Sequence, residues 1–334
     1  MRNIFIYSII FYLFSSDCLG CSRIFYSTNG VAKISARTMD LYIDEKPTLL
    51  ITPIGTQKTG GIGKKPLEWT SKYGSVLITA FKVASSDGVN DQGLAAHLLY
   101  LHSSEYEKRD RRPALPNSKW VEYVLDNYKN VKEAIKGLTK LQIVPVMVAD
   151  LDWPLHLCIE DKNGDSAIFE FIKGKLVIHH NRDATVMTND PFYMVQVTNL
   201  KNYAYFGGKL PLPGDMDSMS RFVRLSAFLK TLPTPASQKE ALEFTLGVIR
   251  SAEVPFGALD TTGKTNIDTW PTRWVTATNL TTLVYYFQST QSLNTAWIDL
   301  NKINFKTLSG PLEINLQNPL VKGDISNLLF PSPN

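Results

Sequence analysis

The sequence lacks the marks of several common kinds of protein. It holds only three cysteines, Cys18, Cys21 and Cys158, too few for the disulfide framework of an exported chain of 334 residues. It holds five histidines, two of them adjacent at His179 and His180. Neighbours on a strand face opposite sides, so that pair is poor geometry for one ion and no metal site is expected. Basic residues are scattered among acidic ones, for a net charge of +4, which argues against a nucleic-acid partner. The glycines of IGTQKTGGIGKKP, residues 54–66, lack the helix that must follow a phosphate-binding loop. That stretch reads as a mobile loop, and no cofactor is called for.

The apolar run IFIYSIIFYLF, from Ile4 to Phe14, is too short to span a bilayer comfortably. It follows Arg2 and ends in SSDCLG, the order of charge, apolar core and small residues that marks a secretory signal. Residues 1–20 are therefore expected to be removed, leaving 21–334 as a single domain with a less regular tail after about Lys306. The mature chain is expected in the periplasm or secreted, with no stable membrane span. A cut between Gly20 and Cys21 gives a first residue carrying both a thiol and a free α-amine. With ordinary pKa values of about 8.5 and about 7.7–8.0, the two can exchange a proton near neutrality without a histidine. Cys158, in the apolar run PLHLCIED, reads as a buried small hydrophobe. Lipoproteins are also cut just before a cysteine, and a lipid on Cys21 would abolish this chemistry. Their usual box has a large aliphatic residue three before the cysteine, where this chain has Cys18.

Along the chain, strand signals dominate. SRIFYS and VAKISARTMDLYI flank Asn29-Gly30, a two-residue hairpin signal. Such a hairpin brings Arg37 and Asp40 back beside Cys21. The two are three apart, so a regular strand points them to opposite faces, and both serve one site only if the strand ends or bulges between them. EWTSKYGSVLITAF reads as a strand whose Trp69, Tyr73 and Phe81 are candidates for an apolar substrate pocket. DGVNDQGLAAHLLYLH leads to a strand ending near Tyr100. Ser118 is placed to cap a helix with a Trp120, Val121, Val124, Leu125 stripe, and a second helix is expected after Asn130. From Trp153 a run of strands follows, ending in TVMTNDPFY, where Asn189 precedes a turn. A helix starts near Ser218 with Arg221 in its first turn. A cation there does not help the helix, so Arg221 needs another reason to be present. Ser237 and Glu240 form a capping box for a last helix, and RWVTATN, TTLVYYFQ and TAWIDL close the chain as strands.

Taken together in this order, these motifs resemble the choloylglycine hydrolase and penicillin V acylase family of N-terminal nucleophile hydrolases, over roughly Cys21 to Leu300. The resemblance implies an α+β fold, a four-layer αββα sandwich of two mainly antiparallel sheets. It implies Cys21 as the nucleophile and Arg37 and Asp40 of SARTMD beside it, at the sulfur and at the terminal amine. It further implies Asn189 of MTNDP and the Tyr100 backbone N–H as the oxyanion donors, and Arg221 as the second active-site arginine. GGIGKKPLEWTSKYGSV is similar to a subgroup from Gram-negative bacteria whose members resemble penicillin V acylases and also cleave N-acyl homoserine lactones. The implied substrate is a small N-acyl amide: penicillin V, with acyl homoserine lactones or bile salts as alternatives. A homotetramer is the implied assembly. The non-enzyme alternative is a lipid-anchored binding protein of the same fold.

Overall fold

The computed structural model describes residues 20–257 and 270–326; the leader assigned to residues 1–20 lies, Gly20 apart, outside them. In chain order the strands begin β1 Ser22–Tyr26, β2 Ile34–Asp40, β3 Thr48–Thr52, β4 Gln57–Thr59, β5 Glu68–Thr70, β6 Ser75–Ala80, β7 Ala84–Asn90 and β8 Leu94–Tyr100. Strand β9 Ala114–Pro116 precedes helices α1 Trp120–Asn127 and α2 Val131–Leu138, after which β10 Gln142–Val144 returns to pair with β9. A meander follows, β11 Leu155–Asp161, β12 Ser166–Ile172 and β13 Lys175–His180, then β14 Val186–Met187. Helices α3 Tyr193–Leu200, α4 Ser218–Thr231 and α5 Gln238–Arg250 come next. The described chain ends with β15 Thr272–Asn279, β16 Val284–Ser289, β17 Thr295–Asp299, β18 Leu312–Asn315 and β19 Gly323–Asp324.

Two sheets result. One has the order β14-β1-β2-β15-β16-β17-β19 and the other β13-β12-β11-β8-β7-β6-β3-β18. All their ladders are antiparallel except β17 with β19. Strand alternation divides the second sheet between two cores. Val76, Ile78, Ala95, Leu99 and Cys158 pack with the first sheet. Leu77, Leu94, Ala96 and Leu98 pack under Trp120, Val121 and Val124 of α1. Helices α4 and α5 contribute Phe222, Leu225, Val248 and Ile249 against the first sheet. The layers are thus α, β, β, α, the sandwich that the family resemblance implies.

Several local expectations change. The β1–β2 connection is the longer loop 27–33, not a two-residue turn, since Tyr26 is the last residue paired, with Ile34. Asn29 shapes it by accepting from Val31 N and Ala32 N, both at 2.8 Å, and Gly30 takes φ 76°. Ser118 does not cap α1. A 3-10 turn at Asn117–Lys119 runs into that helix, and the Glu122 N–H is met at 3.0 Å by Ser85 Oγ from β7, a tertiary cap invisible to local spacing. Asn130 and Ser237 do cap α2 and α5, accepting from Glu133 N and Glu240 N. The stretch 54–66 carries β4, half of a small hairpin with β5, and α3 follows the Asn-Asp-Pro turn in a segment where no element is expected from the sequence.

Between the sheets lies an unusual group of buried charges. Glu160 of β11 is bonded by Arg23 of β1, whose Nε stands at 3.0 Å, and by Ser35 of β2. His97 of β8 bridges Glu160 Oε1 at 2.7 Å and Asp87 Oδ2 of β7 at 2.6 Å. Burial works to lower the His97 pKa, but Glu160 and Asp87 overcome it and carry the ring from 6.5 up to about 9. A folded-state pKa above the unfolded one adds stability that is full below pH 6.5 and is lost as pH rises through about 9. The gap in melting temperature between the wild type and His97→Gln is therefore expected to be widest at or below pH 6.5 and to close as pH rises past about 9, read by thermal unfolding.

Candidate active site

Cys21 stands directly before β1, and the pairing of β1 with β2 sets what surrounds it. The register Ser22↔Thr38 and Arg23↔Arg37 brings Cys21 beside Met39, with Sγ 3.8 Å from Met39 Sδ. Arg37 and Met39 share a parity and turn between the sheets, where Arg37 Nη2 approaches Cys21 Sγ to 3.3 Å. Arg37 is anchored by Nη1 donating to Ser86 O at 2.8 Å, and its guanidinium lies 5.0 Å over the Trp274 ring.

Asp40 has the opposite parity and turns away from Arg37. Thr272 Oγ1 donates to its carboxylate at 2.7 Å and Thr38 Oγ1 at 3.3 Å, with Arg221 Nη1 3.8 Å away. Strand β2 ends at Asp40, and β15 skips Arg273 in the ladder beside it, pairing Thr272 with Asp40 and Trp274 with Met39. Arg37 and Asp40 therefore flank one residue from the two faces of the sheet. On the Asp40 side Gly20 is buried: a Cβ built there would stand 2.8 Å from Asp40 Oδ2 and 3.2 Å from Arg221 Nη2. Only glycine fits that position without displacing the cluster.

Arg221 sits in the first turn of α4, where Asp217 supplies the cap by accepting from Ser220 N at 3.0 Å. Its guanidinium leaves the helix to serve the site. Nη1 donates to Cys21 O at 2.8 Å and to Ser22 Oγ at 2.6 Å, and Nη2 to Asn189 Oδ1 at 3.0 Å. This is the reason for a cation at a helix start. Asn189, just after β14, donates from Nδ2 to Tyr100 O at 2.7 Å. The next residue, Asp190, accepts from His102 N at 2.7 Å and Ser103 N at 2.9 Å, tying the end of β8 to the Asn189 segment.

An apolar pocket opens on Cys21, and Phe81, Leu98, Tyr100, Trp153 and Trp270 are among its walls. The rings form a continuous group: Tyr100 lies 5.5 Å from Trp270 and 6.4 Å edge-on to Trp153, and Phe81 lies 5.8 Å from Trp153. Phe81 reaches it from the β6–β7 turn at φ 53°, a left-handed conformation uncommon for an aromatic, with its N–H on Glu45 O at 2.6 Å. Trp69 and Tyr73 are not among the lining residues. The expected single strand breaks into β5 and β6, and Trp69 belongs to the hairpin against α1. There its Nε1 donates to Asp126 Oδ2 at 2.7 Å, and its ring meets Tyr123 edge-on. Trp153 and Trp270 escaped the sequence reading; the signal was an aromatic beside a proline at the edge of a strand run, WPLHL and WPTRW.

Burial pushes the Cys21 thiol up, and the neighbouring Arg37 works against that. Burial likewise raises Asp40 to about 7, opposed by Arg221 and the two threonine hydroxyls. Cys158 is fully buried with its thiol pushed well up, and it does not line the pocket. A sulfur nucleophile with a cation at the sulfur, a carboxylate behind, a fixed amide donor nearby and an apolar pocket in front is an arrangement suited to acyl transfer.

Comparison with known proteins agrees. A family model described as linear amide C-N hydrolases, choloylglycine hydrolase family, matches residues 21–321. The chain is 38% identical to a penicillin V acylase of Pectobacterium atrosepticum, over 89% of this chain and 85% of that one. It is similar in structure to penicillin V acylase from Agrobacterium tumefaciens, with a TM-score of 0.80 and 36% identity over 91% of this chain and 94% of the other. A conjugated bile acid hydrolase from Clostridium perfringens shares the fold, with a TM-score of 0.74 and 22% identity over 88% and 96%.

The contrast between the two cysteines is testable in a chain that begins at Cys21. A small thiol reagent is expected to label one site per native chain, and Cys21→Ser to abolish the labelling, as counted by intact mass. Labelling of Cys158 in the folded protein would contradict the pocket geometry.

Proposed function

The chain belongs to the choloylglycine hydrolase family of linear amide C-N hydrolases, and from that premise we propose that it acts on penicillin V or a close aryl-acyl amide, with Cys21 as an N-terminal nucleophile freed by removal of residues 1–20. The observation that carries this reading is the position of Cys21 Sγ, 3.3 Å from Arg37 and open to a pocket walled by aromatic rings. The tight fit of Gly20 supports the cut: a Cβ there would stand 2.8 Å from Asp40 Oδ2, so the nitrogen freed next to Gly20 lies near that carboxylate. An ammonium there would pull Asp40 below its present value and be held by it.

In the proposed cycle the α-amine takes the Cys21 thiol proton as the sulfur bonds to the acyl carbon. The carbonyl oxygen of the tetrahedral intermediate accepts from the Asn189 amide and the Tyr100 N–H; losing one such donor typically costs about 2.7–4 kcal/mol of barrier. The C–N bond then breaks, and the amine passes its proton to the leaving nitrogen. Water, deprotonated by the same amine, attacks the thioester, releasing the acid and restoring the thiol. Arg37 favours the thiolate, Asp40 holds the amine, and Arg221 fixes Asn189. We also assign the processed chain to the periplasm or the medium.

N-terminal sequencing of exported protein is expected to begin at unmodified Cys21. Cys21→Ala is expected to fold and to lose turnover entirely. Penicillin V, a long-chain acyl homoserine lactone and glycocholate are compared side by side; cleavage of the lactone alone would replace the penicillin assignment with the lactone one. Retention of residues 1–20, or a lipid on Cys21, would remove the base and favour an anchored binding protein. As assembly we propose a homotetramer, supported by apolar side chains exposed on and after α3, Met194, Val195, Tyr205 and Leu210. Light scattering that returns a monomer mass would refute it.

A further inference from the structure

We propose that His97 is a positioning residue for this reaction: clamped between Asp87 and Glu160, it holds Asp87 under the Arg37 guanidinium and so keeps Arg37 against the Cys21 sulfur. The inference rests on the reading of Cys21 as nucleophile and Arg37 as its thiolate partner. It concerns what sets that partner in place.

The path is continuous and buried. Glu160 accepts from His97 Nε2 at 2.7 Å, His97 Nδ1 donates to Asp87 Oδ2 at 2.6 Å, that oxygen lies 3.7 Å from Arg37 Nη1, and Arg37 Nη2 lies 3.3 Å from Cys21 Sγ. The other oxygen of Asp87 is fixed from the facing sheet by Tyr285 OH at 2.5 Å and Thr276 Oγ1 at 3.4 Å. Asp87 therefore cannot swing away from Arg37 without breaking bonds on both sheets. His97 faces Asp87 on β7, Glu160 and Cys158 on β11, Ser35 on β2 directly, with Oγ 3.1 Å from Nε2, Arg23 on β1 through Glu160, and Tyr285 on β16 through Asp87. Every charged group in that set is fully buried or nearly so.

Charge counting gives the arrangement a direction. With His97 protonated, three cations, Arg23, His97 and Arg37, face two carboxylates, Asp87 and Glu160. On the far face Arg221 and the α-ammonium that the cut would free both face Asp40. The set between the sheets is thus one positive charge in excess until Cys21 ionises, and the thiolate completes it. A neutral His97 would leave the inter-sheet set balanced already, and the thiolate would be matched only by the α-ammonium on the far face. Stability alone does not explain such a set, because a buried ion network is typically no better than apolar packing of the same volume. Burial works to lower the His97 pKa, but its two carboxylates outweigh it and leave the pKa raised, in keeping with the charged form.

The test uses the processed chain and two readouts, the pH dependence of Cys21 alkylation by iodoacetamide and the pH dependence of kcat and KM on penicillin V. In His97→Gln, which can still hydrogen-bond but carries no charge, the acid limb of alkylation is expected to move up by about one pH unit. Its kcat at pH 7 is expected to fall about tenfold with KM within about twofold. A merely structural histidine would lower stability and leave both limbs in place, and that result in a folded His97→Gln overturns the proposal. Arg37→Met serves as the control. If it shifts the limb and His97→Gln does not, this inference alone falls; if neither shifts it, the Arg37–thiolate reading falls as well. Imidazole nitrogen-15 NMR of the wild-type chain decides the matter even if the variant fails to fold. A doubly protonated His97 at pH 7 is expected, and a neutral ring overturns the proposal.

Discussion

The register of β1 on β2 is the constraint from which the site follows. Pairing Arg23 with Arg37 and Ser22 with Thr38 sends Cys21, Arg23, Arg37 and Met39 to the inter-sheet side and Ser22, Thr38 and Asp40 to the helix side. A slip of β2 by one residue would turn Arg37 and Met39 to the helix side while Cys21 and Arg23 stayed between the sheets, parting the sulfur from its cation. Cys21 occupies the one position where both sets meet, because β1 starts after it and β2 stops at Asp40. Its sulfur is served from one face of the sheet and its backbone from the other, so a single residue can present two chemical groups to two separate environments.

That register is held by polar contacts that are expensive unless complete. Arg23, Arg37 and Arg221 are all fully buried. Burying a guanidinium costs several kcal/mol unless its donors are met, and each of these reaches a carboxylate or a set of carbonyl and hydroxyl oxygens. Arg23 links the sheets directly, through Glu160 and Ala184 O at 2.9 Å, and so fixes the sheet-to-sheet spacing close to the strand that carries the nucleophile. The polar groups do more to specify one alignment of the two sheets than to hold them together, since aliphatic side chains slide more readily than a fully satisfied network.

How much of this the sequence reveals depends on the distance between partners. The hairpin that returns Arg37 to Cys21 spans few residues and is marked by alternation and Asn29-Gly30, so its consequence is legible even though the turn is longer than its dipeptide suggests. Arg221 is legible as an anomaly, a cation where a helix wants none. Caps at Asn130 and Ser237 are local and read correctly, whereas the cap of α1 comes from Ser85 on another strand and leaves no local trace. Trp69 misleads because strand propensity does not show that β5 leaves the sheet for a hairpin on α1. His97, Asp87 and Glu160 lie on three strands that neighbour one another only through the order β11-β8-β7. His97 reads as an isolated polar residue in an apolar run, Asp87 as one of several polar residues in ASSDGVN and Glu160 as one of a pair of acids ending LHLCIED, and only the sheet order makes them a chain of contacts.

Asn189 shows how the far arginine orients a side chain at a distance from the sulfur. A guanidinium can only donate, so Asn189 Oδ1, 3.0 Å from Arg221 Nη2, must be the carbonyl oxygen and Nδ2 the amide nitrogen. Nδ2 then gives one hydrogen to Tyr100 O at 2.7 Å and keeps the second. Tyr100 O can only accept and Arg221 can only donate, so both hold the amide in the same sense, and a flipped amide would set an acceptor against Tyr100 O. The reading of Asn189 as an oxyanion donor therefore rests on two fixed partners, Tyr100 O and Arg221, that are in place before any substrate. It also requires that α4 begin where it does, since Asp217 and Ser218 set the turn from which Arg221 reaches across.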